Sequence, residues 1–162
     1  MTQSAEPGKD RPNVIPWPPM ILMTALVGGY LLGLWLPRPW PPGVGASFLQ
    51  GVGAIAVLVA VTLYSTAFLA MRRARTTIRP DRAADHLVTD GPFAISRNPI
   101  YLANVVLLAG LAFLLGNVWY LAVAAVAGLA EHHIAILREE AHLEHRFGRA
   151  WRDYRKRVRR WI

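Results

Sequence analysis

Two short polar clusters carry the residue types that do chemistry. The first is Ser96-Arg97-Asn98-Pro99-Ile100-Tyr101, preceded by Asp90-Gly91-Pro92-Phe93. The second is Arg138-Glu139-Glu140. An arginine guanidinium is a planar fork of donors that matches a carboxylate through two parallel hydrogen bonds. Neighbouring glutamates offer acceptors to an ammonium group or to sugar hydroxyls. Arg97 at a membrane boundary equally suits topology or snorkelling, and the glutamates equally suit ion pairs with nearby arginines. His132 and His133 stand seven residues before Glu139 and Glu140, so each pair lies on nearly one helix face, two turns apart. A histidine or a glutamate there has the chemistry of a general base. No metal site is assigned, because consecutive histidines do not converge on one centre and no HExxH pattern occurs.

These clusters must be positioned by apolar elements. The chain has 162 residues, 54% of them hydrophobic, with a net charge of +8 and a mean hydropathy of only +0.28. Such figures fit together when apolar and charged residues are segregated along the sequence. Apolar runs cover residues 20–36, 46–71, 100–115 and 118–137. The first is about 26 Å long at the helical rise, enough to cross most of a bilayer core. It ends in Leu36-Pro37-Arg38-Pro39-Trp40 without a small-x-small cleavage site, which argues against a signal peptide. Residues 1–19 read as a proline-rich disordered leader. Gly116-Asn117 marks a tight turn, so the third and fourth runs form an antiparallel hairpin. Pro99 suits the first turn of the third helix, with Asn98 or Ser96 as its cap. Gly29 and Gly33 make a GxxxG spacing that lets another helix approach, in the same chain or in a second copy. In the tail, Leu143, Phe147, Trp151, Tyr154, Val158 and Trp161 recur every three or four residues beside nine basic residues. That pattern predicts an amphipathic helix at the membrane–water interface. The fold class is therefore all-α: one polytopic membrane domain over 20–162, about four transmembrane helices plus the interfacial helix.

Charge sets the orientation. Seventeen of the eighteen basic residues fall in the leader, the middle segment and the tail, all on one side of a four-span chain. The positive-inside rule then makes both termini cytoplasmic. The same placement removes nucleic acid as a partner, because anionic membrane lipid and topology account for the arginines. With no cysteine, disulfides, thiolate metal sites and cysteine nucleophiles are excluded.

The order of the two clusters across a helical hairpin resembles the isoprenylcysteine carboxyl methyltransferase and phospholipid methyltransferase superfamily of integral membrane enzymes. The resemblance runs over about 86–162, through Asp90-Gly91-Pro92-Phe93 and Ser96–Tyr101, then Arg138-Glu139-Glu140, Leu143, Phe147-Gly148, Trp151, Tyr154 and Val158-Arg159-Arg160-Trp161. Asn98 stands where His is frequent, Ala103 where Gly is common, and Phe93 where Tyr is frequent. The resemblance implies S-adenosylmethionine as cofactor, bound by this half at the cytoplasmic face, with a lipid-like or membrane-delivered acceptor arriving from the bilayer. It implies Arg97, Asn98, Pro99, Tyr101, Glu139, Glu140 and Tyr154 as cofactor-binding residues, with catalytic roles for Arg97 and Glu140. From the chemistry of their own side chains, His132 is added to the cofactor-binding set and His133 to the catalytic set as a candidate base. The acceptor stays open among a carboxylate, an amine, a thiol and others. The competing function is a non-catalytic membrane scaffold or lipid-binding protein that keeps the fold. It predicts erosion of the polar clusters, yet Arg97, Glu139 and Glu140 are all present.

Overall fold

A computed structural model describes residues 17–38, 40, 45–74 and 86–162. The leader up to residue 16, most of the first loop, and Arg75, Arg79 and Arg82 of the middle segment lie outside the described residues. The helices are α1 (Trp17–Trp35), α2 (Ala46–Arg73), α3 (Pro99–Leu115), α4 (Trp119–Ala130), α5 (Leu137–Phe147) and α6 (Arg149–Arg157). A 3₁₀ turn (Gly91–Ala94) precedes α3, and a π-helical segment (Glu131–Ile136) joins α4 to α5 without a break. Among the described residues there is no β-strand.

Three helical stretches are long and apolar enough to cross a membrane: Pro18–Trp35, Ala46–Arg73 and Trp119–Phe147. The third expected span, α3, is a shorter apolar helix of 17 residues. It is apolar all round because neighbours cover it on several sides: α2 packs along it, it packs on α4, and α4 packs on α1. The contacting faces are built from small residues. Ala60, Ala67, Ala103 and Ala112 are fully buried. A Cβ on Gly53 of α2 would lie 2.4 Å from the Leu114 backbone nitrogen of α3, so only glycine permits this approach. Large residues such as Met23, Leu34, Ile55 and Leu58 point outward, as lipid-facing residues do.

The second hairpin turns as the sequence predicts. Gly116 adopts φ +65 after α3, and the Asn117 amide closes the end by donating to the Ala112 carbonyl at 3.0 Å. Asn117 then binds forward and outward. Its Oδ1 accepts from the Trp119 amide at 3.1 Å, and its Nδ2 donates to the Gly29 carbonyl of α1 at 2.9 Å. Tyr120 donates to the Leu26 carbonyl at 3.0 Å. The close approach that the Gly29/Gly33 spacing permits is made within the chain, against Tyr120 and Asn117.

The structure corrects three expectations. The sequence pattern extends the leader to residue 19, but α1 starts at Trp17. Pro18 and Pro19 are tolerated there because first-turn amides have no intrahelical acceptor. The apolar pattern ends the fourth span at residue 137, but helix continues through the π segment to Phe147, since charged residues do not break helix geometry. The spacing in the tail predicts one helical stripe. It breaks at Gly148, whose φ of +50 and ψ of −113 cannot continue a helix, and beyond Arg157 it is extended. Gly53→Ala is expected to lower the melting temperature in detergent, at a cost of about 1–3 kcal/mol for overpacking. Gly51, with open space around its Cβ position, is the matched control. Gly51→Ala should be neutral or slightly stabilising, because alanine is the better helix former.

Candidate functional site

The chain reversal at Gly148 brings the end of the tail back to the start of α3. The Arg97 amide donates to the Arg159 carbonyl at 3.0 Å, within a short parallel bridge between Ser96 and Arg159. The Arg160 carbonyl then accepts from Ser96 Oγ at 3.3 Å and from Asn98 Nδ2 at 3.0 Å. Neither side chain therefore caps α3, although the sequence predicts that one of them does. Their polar groups hold the tail instead, while Ser96 Oγ also accepts from the Asn98 amide at 3.1 Å. Pro99, fully buried, starts α3 directly behind this turn.

The bridge carries Arg160 into the second cluster. Its Nε and Nη2 donate to the two oxygens of Glu140 at 3.0 and 2.7 Å, a bidentate pair. Arg97 approaches the same carboxylate, Nη1 to Oε1 at 3.3 Å, the oxygen that Arg160 Nε also binds. Arg97 is nearly enclosed, its side chain 8% exposed, and its guanidinium lies 5.6 Å from the centre of the buried Trp151 ring. Burial lowers the Arg97 pKa from its usual value, opposed by Glu140, whereas the hydrogen bond to Glu140 raises that of Arg160. Two guanidinium groups share the Glu140 carboxylate. Arg97 Nε is buried without a hydrogen-bond acceptor among the described residues, and Nη1 has only its ion-pair contact with Glu140. Such a bare donor costs about 1–3 kcal/mol unless a partner supplies an oxygen.

Aromatic residues close the remaining sides. Tyr101 donates to Glu139 Oε2 at 3.0 Å and packs with Ala135, Ile136 and Trp161. Tyr154 of α6 donates to the Phe93 carbonyl at 2.7 Å and meets Trp151 edge-on. Burial raises the Tyr154 pKa, which keeps its proton on the oxygen as a donor.

The structure thus gathers Arg97, Asn98, Pro99, Tyr101, Glu139, Glu140 and Tyr154 around one face. His132 joins them, its Nε2 3.5 Å from Arg160 Nη1. His133 does not. It is exposed, and its ring meets that of His132 edge-on at 4.9 Å. The expected pairing of His133 with Glu140 at seven residues is displaced by one, because the π segment fits an extra residue into its turn. Arg160, Trp151 and Ser96 were not singled out as ligands by sequence reasoning, and Arg160 was read as one more topological charge. A second polar group was also missed: Tyr64, Asn104 and Glu131 form a hydrogen-bonded chain inside the bundle. Among the described residues, no three His, Asp or Glu are grouped to hold a metal ion.

A family model described as phospholipid methyltransferase matches residues 49–150, well over half the chain. The chain belongs to the phospholipid methyltransferase family. With three helices able to cross a membrane, it is an integral membrane protein of a methyltransferase family. The matched residues include both polar clusters but stop before Trp151, Tyr154 and Arg160. The nickel-cobalt-cadmium resistance protein NccN of Alcaligenes xylosoxydans xylosoxydans is 34% identical over 77 residues, 48% of this chain and 36% of that protein. The chain therefore spans little more than a third of that curated relative's length. No solved structure matches it.

Asn98→Ala combined with Ser96→Ala is expected to free residues 158–162. Hydrogen exchange of peptides covering 91–101 should then rise by roughly tenfold or more, with α2 peptides unchanged. Unchanged exchange at 91–101 would show that the bridge does not hold the tail.

Proposed function

We propose that the chain is an S-adenosylmethionine-dependent methyltransferase acting on a lipid-like or membrane-delivered acceptor. The observation that carries this reading is the buried, half-satisfied Arg97 beside Glu140. The donor set fits the amino-acid end of that cofactor. Arg97 Nε, which has no acceptor of its own, would donate to its carboxylate. Glu139 and Glu140 would accept from its ammonium or ribose hydroxyls. Tyr101 and the rings of Trp151 and Tyr154 offer flat surfaces for an adenine or for a sulfonium. When bound, the cofactor supplies an electrophilic methyl group. The protein's own residues align the reactants and exclude water, the two contributions an in-line displacement needs most. Enclosure of the locus by α6 and residues 158–162 supports that role. The tail would bear on anionic lipid headgroups through exposed Arg149, Arg152, Arg155 and Arg157.

Calorimetric titration of S-adenosylmethionine into the detergent-solubilised protein tests this. Arg97→Ala and Glu140→Ala should each weaken binding by at least about tenfold, equivalent to 1.4 kcal/mol. Arg149→Ala, at a 91% exposed side chain, should leave it unchanged. A folded protein that binds none rejects the reading.

We propose that the site and both termini face the cytoplasm, a reading supported by the positive-inside charge distribution. Because the chain has no cysteine, single cysteines introduced at exposed Arg38 and exposed Arg157 report sidedness cleanly. A membrane-impermeant maleimide added to intact cells should label Arg38→Cys and spare Arg157→Cys. The opposite pattern would invert the topology.

A further inference from the structure

The π segment presents consecutive residues to different places. His132 reaches Arg160 at the site face, while Glu131 turns into the bundle and is completely buried, 0% exposed. Glu131 Oε1 accepts from Asn104 Nδ2 of α3, and Asn104 Oδ1 accepts from the Tyr64 hydroxyl of α2. The phenol donates to the amide oxygen, which leaves the amide NH₂ to face the carboxyl. Glu131 Oε2 has no hydrogen-bond partner among the described residues. A carboxyl kept only to tie helices together would have both oxygens satisfied, because a bare one in an apolar interior costs several kcal/mol. Ionisable groups at membrane depth mark functional sites, and π turns concentrate at them.

The triad also spans the bundle. Tyr64 is only half-buried, one turn along α2 from the exposed, lipid-facing Val61. From there the chain of hydrogen bonds runs inward through Asn104, 3% exposed, to Glu131. Tyr101 links it to the site: its hydroxyl is bound to Glu139, and it also interacts electrostatically with Glu131.

We propose that Glu131 is the proton acceptor for the methyl acceptor, and that the acceptor's nucleophile carries a proton, as an amine, hydroxyl or thiol does. This rests on the methyl-transfer reading above. In the step, the nucleophile's lone pair forms the bond to the methyl carbon while the carbon–sulfur bond breaks and its electron pair returns to sulfur. The proton leaves the nucleophile for Glu131 Oε2. A carboxylate acceptor has no proton to lose, and in the same apolar space it would be repelled by Glu131.

The test uses the full chain in liposomes, methyl-labelled S-adenosylmethionine and a total lipid extract as acceptor pool. Label entering lipid in a form stable to alkaline hydrolysis is expected. Label released as volatile methanol marks a methyl ester and overturns the proposal. Glu131→Gln keeps the shape and the bond to Asn104. It should bind cofactor within about twofold of wild type by calorimetry, yet transfer at least about 100-fold more slowly, the scale of a lost general base. Wild-type rate should rise with pH to a plateau, and Glu131→Gln should lose that acid limb while Glu131→Asp regains part of the rate. The titratable groups facing Glu131 are Tyr64 of α2 and Tyr101 of α3, and α1 brings no charged residue. Tyr64→Phe and Tyr101→Phe should therefore keep the acid limb. Glu131→Gln that transfers within about threefold of wild type, or that loses cofactor binding in step with transfer, overturns this assignment alone. A wild type that neither binds cofactor nor labels lipid overturns the methyl-transfer reading and this proposal with it.

Discussion

Glu140 is a carboxylate with little water around it, and two guanidinium groups keep it there. A buried charge in such a place is costly unless it is paired and hydrogen-bonded. Here Arg160 supplies two hydrogen bonds and Arg97 a third contact. The two arginines come from opposite ends of the C-terminal half. For Arg160 to reach Glu140 the chain must reverse at Gly148, return along α6 and lie against Ser96. That return brings Trp151 over Arg97 and Tyr154 onto the Phe93 carbonyl. The aromatic walls and the backbone bridge thus follow from where one carboxylate finds its partners.

One continuous helical path supplies acidic groups to two environments. Over Trp119–Phe147 the chain places Glu131 deep among apolar helices and Glu139 and Glu140 near the arginines. An unbroken α-helix would put Glu140 two turns above His133. The π segment shifts the phase, so that His132 shares Arg160 with Glu140 while Glu131 keeps its side chain on α3. A local irregularity of six residues therefore decides which titratable groups can act on one another.

The helical class, the hairpin turn and the two clusters were legible because each has a local signature. Apolar runs, Gly116-Asn117, and Arg97 and Glu139-Glu140 at helix ends all declare themselves within a few residues. The remainder depends on pairing between distant segments. Arg160 looks like any other basic residue until the tail folds back over the turn before α3. Ser96 and Asn98 look like caps, but a carbonyl more than sixty residues away competes for them. Tyr64 and Asn104 are single polar residues in apolar runs, with no periodicity to mark them. The π turn escaped because a period of 3.6 was assumed throughout. Glu131 is a single acid in an apolar run, and its partners lie on other helices.

The first helix is tied down by the fourth. Asn117 and Tyr120 donate to carbonyls of α1 from partners 88 and 94 residues away, and Gly29 and Gly33 make room for them. During synthesis α1 and α2 therefore enter the bilayer before the residues that will fasten α1 exist. Each must be stable in lipid as a lone span, as helices with largely apolar outer faces are. Closure of the bundle is then a late and long-range event, slowed by the length of chain that separates the partners.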